Sequence, residues 1–313
     1  MEPAPPGAVT AQVRATGLLP DGGAVVVLLS GGRDSVCLLD VAVTLAGRDV
    51  VAALHVNYGL REEAELDEAH CRALCDRLEV PLSVERVRRP QDAPGNLQAW
   101  ARDVRYAAGA KAAAATSATL AAGHTATDQV ETVLYRLATS PGRRALLGMP
   151  ARSGRLVRPL LGVTREQTAA HCAARGLAWR EDATNASDAY ARGRVRNGLV
   201  PALQAVDDRA HDNILRTAEL LRDEAQVLDT VVQTALAGRD HILVEQLALL
   251  PVALGRLVVR ELAEAAIGGR PCPRAASRVP EILALGDGAL DVGDGARARV
   301  QDGVLRFGRT PER

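Results

Sequence analysis

Ser30-Gly31-Gly32-Arg33-Asp34-Ser35 follow directly on the apolar run 24–29, and their types suit one task, the holding of phosphate. Two glycines let a buried strand end in a sharp turn and approach a ligand where a Cβ would intrude. A helix opening over 36–45 would aim unpaired backbone N–H groups, and the positive end of its dipole, at the same point. Ser30 and Ser35 add hydroxyls. Paired glycines also occur in ordinary turns; the apolar run before them and the serines on both sides favour phosphate. No GxxxxGK[ST] pattern occurs, and Lys111 is the only lysine in the chain, so a lysine grip on a γ-phosphate is not available.

A second group of chemically capable residues lies in Gly123-His124-Thr125-Ala126-Thr127-Asp128-Gln129-Val130-Glu131-Thr132. Asp128 and Glu131 are three apart and share a helical face. Such a pair can hold Mg²⁺ or an ammonium group, or take a proton from an amine that must become a nucleophile. It can equally do no more than complement a helix N-terminus. Between Glu131 and Glu166 there is no acidic residue, while Arg136, Arg143, Arg144, Arg152, Arg155, Arg158 and Arg165 fall in that interval. This is either a positive surface for a polyanion or a solvated face in a chain that uses arginine for lysine throughout.

Apolar runs near 24–29, 50–56, 82–87 and 118–122 predict strands; helical patterns predict helices near 35–46, 62–79, 96–115 and 127–138. This βαβ order makes the fold α/β, a parallel Rossmann-like sheet covered on both faces. Ligands in such sheets bind beyond the carboxyl ends of the strands, which selects 30–35, 55–61 and 123–131. Thr164-Arg165-Glu166-Gln167 reads as a capping box opening a further helix. From His211 an apolar stripe of Ile214, Ala218, Leu221, Ala225, Leu228, Val232 and Ala235 marks one long helix. It would pack on the chain's own domain or pair two copies as a homodimer. A helix near 247–266 and an alternating tail over 286–308 follow. The expected organisation is an N-terminal extension over 1–22, a catalytic domain over 23–205 and a smaller α-rich accessory domain over 206–313.

With 313 residues, 47% of them hydrophobic, the chain is long enough for these domains and too apolar to be disordered. Only 2% are aromatic, so contacts to RNA would rest on arginine rather than on stacked rings. Charge is balanced at 38 basic against 38 acidic residues, which excludes a generic polyanion coat. No apolar run reaches the length of a membrane span and no leader pattern opens the chain, so a cytoplasmic protein without membrane contact is expected. The five cysteines form no CxxC pair, and a disulfide framework is not expected.

The loop resembles the SGGxDS signature of the ATP pyrophosphatase (PP-loop) superfamily. Other segments resemble, in order, blocks of its tRNA(Ile)-lysidine synthetase family. These are His55-Val56-Asn57-Tyr58-Gly59-Leu60-Arg61, Ala101-Arg102-Asp103-Val104-Arg105-Tyr106, the Gly123–Thr132 stretch, Arg158-Pro159-Leu160-Leu161, 182–185 and 192–201. The resemblance implies a ligase that adenylates the wobble cytidine of a tRNA(Ile) with a CAU anticodon. Free L-lysine then displaces AMP, giving lysidine, with ATP and Mg²⁺ required. It also implies roles. Ser30, Gly31, Gly32, Arg33, Asp34, Ser35, His55 and His124 would bind ATP, and Asp34 and Asp128 the metal. Asp34, Asp128, Glu131 and Arg194 would be catalytic, and Arg143, Arg144, Arg192 and Arg196 would meet the tRNA. Tyr58, Thr125, Thr127 and Gln98 depart from the family pattern, and Thr127 removes one carboxylate. The alternatives are a tRNA thiolase of the same fold, which Cys71 and Cys75 serve poorly, and a non-catalytic nucleotide- or tRNA-binding relative.

Overall fold

The computed structural model describes residues 7–59, 64–90, 96–140, 142–181 and 191–311. Contacts divide the chain into two compact units, Met1–Leu221 and Arg222–Arg313. The first contains α1 (Ala8–Ala15), β1 (Val25–Leu28), α2 (Arg33–Ala46), β2 (Val51–Asn57), α3 (Ala64–Leu78), β3 (Leu82–Arg86), α4 (Leu97–Ala115), β4 (Thr119–Ala121) and α5 (Ala126–Thr139). It continues with α6 (Arg143–Leu146), β5 (Arg152–Ser153), β6 (Leu156–Val157), α7 (Arg165–Ala174), α8 (Ala191–Arg194) and α9 (Val200–Val206).

The six strands lie in the order β3-β2-β1-β4-β6-β5, all parallel except the β5–β6 hairpin pair. The α/β reading of the sequence is borne out. β1 pairs with β2 on one side and β4 on the other, so the winding reverses there. The crevice between the loops after β1 and β4 is the switch point where such sheets bind ligands.

The strands read as continuous apolar runs because both faces are covered. Val25, Val27 and Leu29 join a core with Val9 and Val13 of α1, Val36 to Leu39 of α2, Cys71, Leu74 and Cys75 of α3, and Cys172 of α7. Val26 and Leu28 face the opposite way, onto Ala108 and Ala113 of α4. The alanine-rich α4 brings its backbone close to the sheet, which is how a core with so few aromatic rings closes without voids. α1 therefore contributes core residues from within the stretch that the sequence set apart as an extension.

Two buried polar clusters lock helices to this sheet. Glu68 of α3 accepts hydrogen bonds from Asn57 at the end of β2, from Arg86 at the end of β3 and from Arg72. The Asn57 bond, with the two guanidinium groups, brings its carboxyl down to about 2. Asp40 of α2 meets His171 of α7 at 2.8 Å and Arg175, the residue that caps the end of α7, at 3.1 Å. Burial pushes Asp40 up, and these hydrogen bonds more than offset it, so the group stays below the usual carboxylate range. α7 is thereby fixed to the helix that follows the glycine loop.

Long helix α10 (Ala210–Leu236) begins in the first unit, where Ile214 and Leu215 pack with Val130, Leu134, Val195, Val200 and Leu203. The division by contacts falls after Leu221, within this helix. Every member of the predicted stripe is buried or half-buried within the single chain. The second unit holds the end of α10, β7 (His241–Leu243), α11 (Val244–Leu249), α12 (Val252–Ala266), α13 (Val279–Leu283), β8 (Gly288–Gly293), β9 (Ala296–Gln301) and β10 (Val304–Arg309). Its antiparallel sheet runs β7-β10-β9-β8. Val258, Val259, Leu262, Ile282, Val300 and Leu305 form its core. Among the described residues no helix is long and apolar enough to cross a membrane.

Candidate functional site

Beyond β1 the chain turns through Gly31, whose φ of +83° lies where L side chains are strained. A Cβ there would also stand 3.3 Å from the Cys71 thiol. The Ser35 hydroxyl donates to the Gly32 carbonyl at 2.8 Å and accepts from the Ser30 N–H at 3.1 Å, so it staples the loop to itself. Arg180 N–H donates to the Gly31 carbonyl at 3.0 Å. No side chain caps α2, and its first N–H groups open toward the crevice with the dipole behind them.

On the other side of the crevice, Gly123 packs against this turn. A Cβ at 123 would lie 3.0 Å from the Asp34 carbonyl oxygen and 3.2 Å from the Ser35 nitrogen. α5 then opens with a capping box: the Thr125 hydroxyl accepts from Asp128 N–H, and Asp128 Oδ2 accepts from Thr125 N–H at 2.9 Å. The two readings that the spacing left open for Asp128 divide between its two oxygens. Oδ2 caps the helix, and Oδ1 faces the crevice, 3.4 Å from Arg165 Nη2.

Asp34, Asp128 and Glu131, drawn from two helices, converge on Arg165. Its Nε lies 3.6 Å from Asp34, its Nη2 3.4 Å from Asp128 and its Nη1 4.0 Å from Glu131. Asp34 also accepts from the Thr168 hydroxyl at 2.6 Å and lies 3.4 Å from Arg33. Glu131 is buried and clasped by Arg196 through two hydrogen bonds of 2.6 and 2.9 Å. That clasp pushes the Arg196 guanidinium above its ordinary value. Among the described residues no three acidic, imidazole or thiol groups have the mutual spacing of a metal site.

Arg165 and Thr168 were not among the sequence-predicted site residues, although one sign was readable. An arginine in the first turn of a helix stands at the wrong end of the dipole, which calls for a partner elsewhere. Arg194 is exposed, while Arg196 reaches Glu131. Arg192 and Arg144 are exposed; Arg143 is half-buried and donates to the Leu221 carbonyl at 3.3 Å. Thr127 accepts from the Arg165 N–H at 3.4 Å, so it helps hold the start of α7. Tyr58 donates to the Ala101 carbonyl at 2.9 Å and packs edge-on to Trp100. Residues 182–190, including the block at 182–185, lie outside the described residues.

His55 is buried and His124 half-buried. β2 extends to Asn57, so His55 lies inside the strand, with Nδ1 2.9 Å from the Leu29 carbonyl, and braces the base of the loop. His124 Nε2 is 3.4 Å from the Tyr106 hydroxyl and its buried Nδ1 has no partner. Burial, with Arg105, Arg158 and Arg102 nearby and Asp128 opposing, brings its pKa down to about 3. His124 is neutral at pH 7 and should give no inflection near pH 6.5 in a rate profile. The unfolded chain protonates this residue from about pH 6.5 downward while the folded one resists. The contribution is therefore present above 6.5 and lost as pH falls toward 3. A His124→Asn variant should lose less Tm between pH 7 and pH 4.5 than the wild type; an equal loss would refute the assignment.

Arg102 and Arg105 lie over the Tyr106 ring at 4.9 and 5.6 Å. Burial, followed by the charges of Arg192, Arg105 and Arg158, lowers the Arg102 pKa, and burial with Arg192 and Arg158 does the same to Arg136. Positive charge is thus gathered around His124, with these arginines acting on one another.

Residues 9–203 match the PP-loop domain family. The tRNA(Ile)-lysidine synthase of Salinispora arenicola is 38% identical over 93% of this chain and 92% of its own. The chain belongs to the tRNA(Ile)-lysidine synthase family. The Symbiobacterium thermophilum synthase is 36% identical over 94% of this chain and 67% of its own length. Against the Pseudomonas fluorescens synthase, 40% identical over 67% of this chain, the match spans 48% of that protein; lysidine synthases thus include chains of about twice the matched length. The U34-tRNA thiolase NcsA of Methanococcus maripaludis, solved with its [4Fe-4S] cluster, superimposes with a TM-score of 0.58 at 17% identity, covering 68% of this chain and 78% of that one. That likeness shows the shared PP-loop fold. All five cysteines of this lysidine synthase relative are buried and unpaired, and burial pushes the Cys71 and Cys75 thiols up to about 12. Such thiols are inert, so the thiolase reading is the less supported one.

Proposed function

We propose that the chain ligates free lysine to C2 of the wobble cytidine in a tRNA(Ile) bearing a CAU anticodon, forming lysidine and releasing AMP and pyrophosphate. The cytidine C2 oxygen attacks the α-phosphorus of ATP and expels pyrophosphate; the lysine amine then attacks C2 and expels AMP. The observation that carries this reading is the convergence of Asp34, Asp128 and Glu131 beside the open N-terminus of α2, at the switch point of the sheet.

Residues 30–35 and the first turn of α2 hold the departing pyrophosphate, and Gly123 lets the opposite wall come close enough to enclose it. Asp34 and Asp128 offer hard oxygen donors to Mg²⁺, which typically binds through one or two carboxylates together with substrate phosphates, so two such groups suffice. The ion supplies charge neutralisation on the leaving group. Glu131 accepts the amino group of lysine and assists its deprotonation, with Arg196 fixing the carboxylate. Arg102, Arg105, Arg136, Arg158 and Arg192 attract the anticodon backbone, and exposed Arg144 and Arg194 extend that surface.

The test is incubation with radiolabelled lysine, Mg-ATP and a tRNA(Ile) transcript carrying CAU. Label should enter acid-precipitable RNA, with one AMP formed per lysine, and none should enter a transcript with uridine at the wobble position. ATP binding without incorporation would replace the synthetase by a nucleotide-binding relative.

A further inference from the structure

Arg165 is held unlike its neighbours. Arg196 grips one carboxylate with two short bonds, whereas the Arg165 guanidinium is shared among three carboxylates at 3.4 to 4.0 Å. Its Nε is buried without a hydrogen bond, and it stands at the first position of α7, where a cation is disfavoured. None of this serves helix stability. It does balance charge: Arg33, Arg165 and Arg196 stand against Asp34, Asp128 and Glu131. Arg165 meets all three acids and is held at short distance by none of them, so it can leave at little cost.

We propose that Arg165 is a resident counter-cation that makes binding of a divalent metal conditional on nucleotide. Without ATP, its guanidinium lies among the carboxylates, spreads them beyond metal-binding distance and repels a free metal ion. When ATP arrives with its metal, Arg165 exchanges the carboxylates for phosphate oxygens, an equally charged and bidentate partner. The α7 backbone can stay in place during this exchange, because the His171 and Arg175 contacts to Asp40 hold it and only the side chain moves. Arg165 is thus a positioning residue, and the inference rests on reading the crevice as a Mg-ATP site.

Mn²⁺ binding, followed by electron paramagnetic resonance, tests it on the full chain. Wild type should bind Mn²⁺ weakly alone and about tenfold or more tightly with ATP. Arg165→Gln should bind Mn²⁺ about tenfold more tightly than wild type without nucleotide, a gain that structural damage would not produce. A lysine at 165 cannot span three carboxylates, so Arg165→Lys should fall between the two; should the glutamine variant not fold, a gain of about threefold in Arg165→Lys carries the test. Nucleotide-free affinity equal to wild type in the folded variants would overturn the inference while Mg-ATP binding to wild type, measured by calorimetry, stood. Absence of Mg-ATP binding to wild type would remove the functional reading and this inference together.

Discussion

Glu131→Gln should lower lysine transfer to tRNA by about 10²- to 10³-fold while Mg-ATP affinity stays within a few-fold. The side chain is buried, and Arg196 clasps its carboxylate at short distance. Removing one partner of a buried pair leaves the other charge uncompensated, typically at a cost of about 3–5 kcal/mol. Glutamine retains the size and one acceptor oxygen, so the loss falls on charge: on the attraction for an amine and on the orientation of Arg196. The nucleotide contacts on the α2 side are untouched. Transfer kinetics under single turnover, read beside calorimetry of Mg-ATP, separate the two steps. Unchanged transfer would reduce Glu131 to an anchor for the segment carrying Arg196.

Gly123→Ala should act on the opposite step. Its Cβ would lie 3.0 Å from the Asp34 carbonyl oxygen, 3.1 Å from its carbon and 3.2 Å from the Ser35 nitrogen. All three are backbone atoms of the first turn of α2, which cannot swing aside as a side chain would. Overpacking of this kind costs about 1–3 kcal/mol, and here the displacement opens the crevice itself. The KM for ATP should rise about tenfold for alanine, and Gly123→Val should abolish binding. Gly308→Ala, which meets nothing within 4 Å, serves as the control and should leave both Tm and KM unchanged. An unaltered KM in Gly123→Ala would show that the two loops do not enclose the nucleotide between them.

Legibility in the sequence followed the range of the interactions. The 24–35 and 118–131 junctions could be read because a continuous apolar run, a glycine turn and a helix start are local signals. β5 and β6, of two residues each, are too short for any period to register, and eight-residue α1 carried too little pattern to mark its place in the core. The acidic members of the site were legible from residue type and helical spacing. Arg165 and Thr168 were not, since their partner Asp34 lies more than a hundred residues earlier and no local pattern records that meeting. The reach of Arg196 to Glu131 was hidden for a different reason: nothing in a run of alternating arginines shows where the winding of a helix alters.

That winding alters over Val195–Leu199, five residues coiled in the wider π manner between α8 and α9. A π turn holds one residue more than regular coiling would need. Val195 points inward against Val130 and Leu134, while Arg196, next along, reaches Glu131. Excising a single amino acid from this bulge would leave regular α-helix with both arms facing much as before, whereas winding all five residues regularly would rotate one arm against the other by about 100°. Either the apolar anchor or the arginine would then face solvent. Exposed positions 198 and 199 should accept most replacements that keep the wide turn, which is what the faces of both arms depend on.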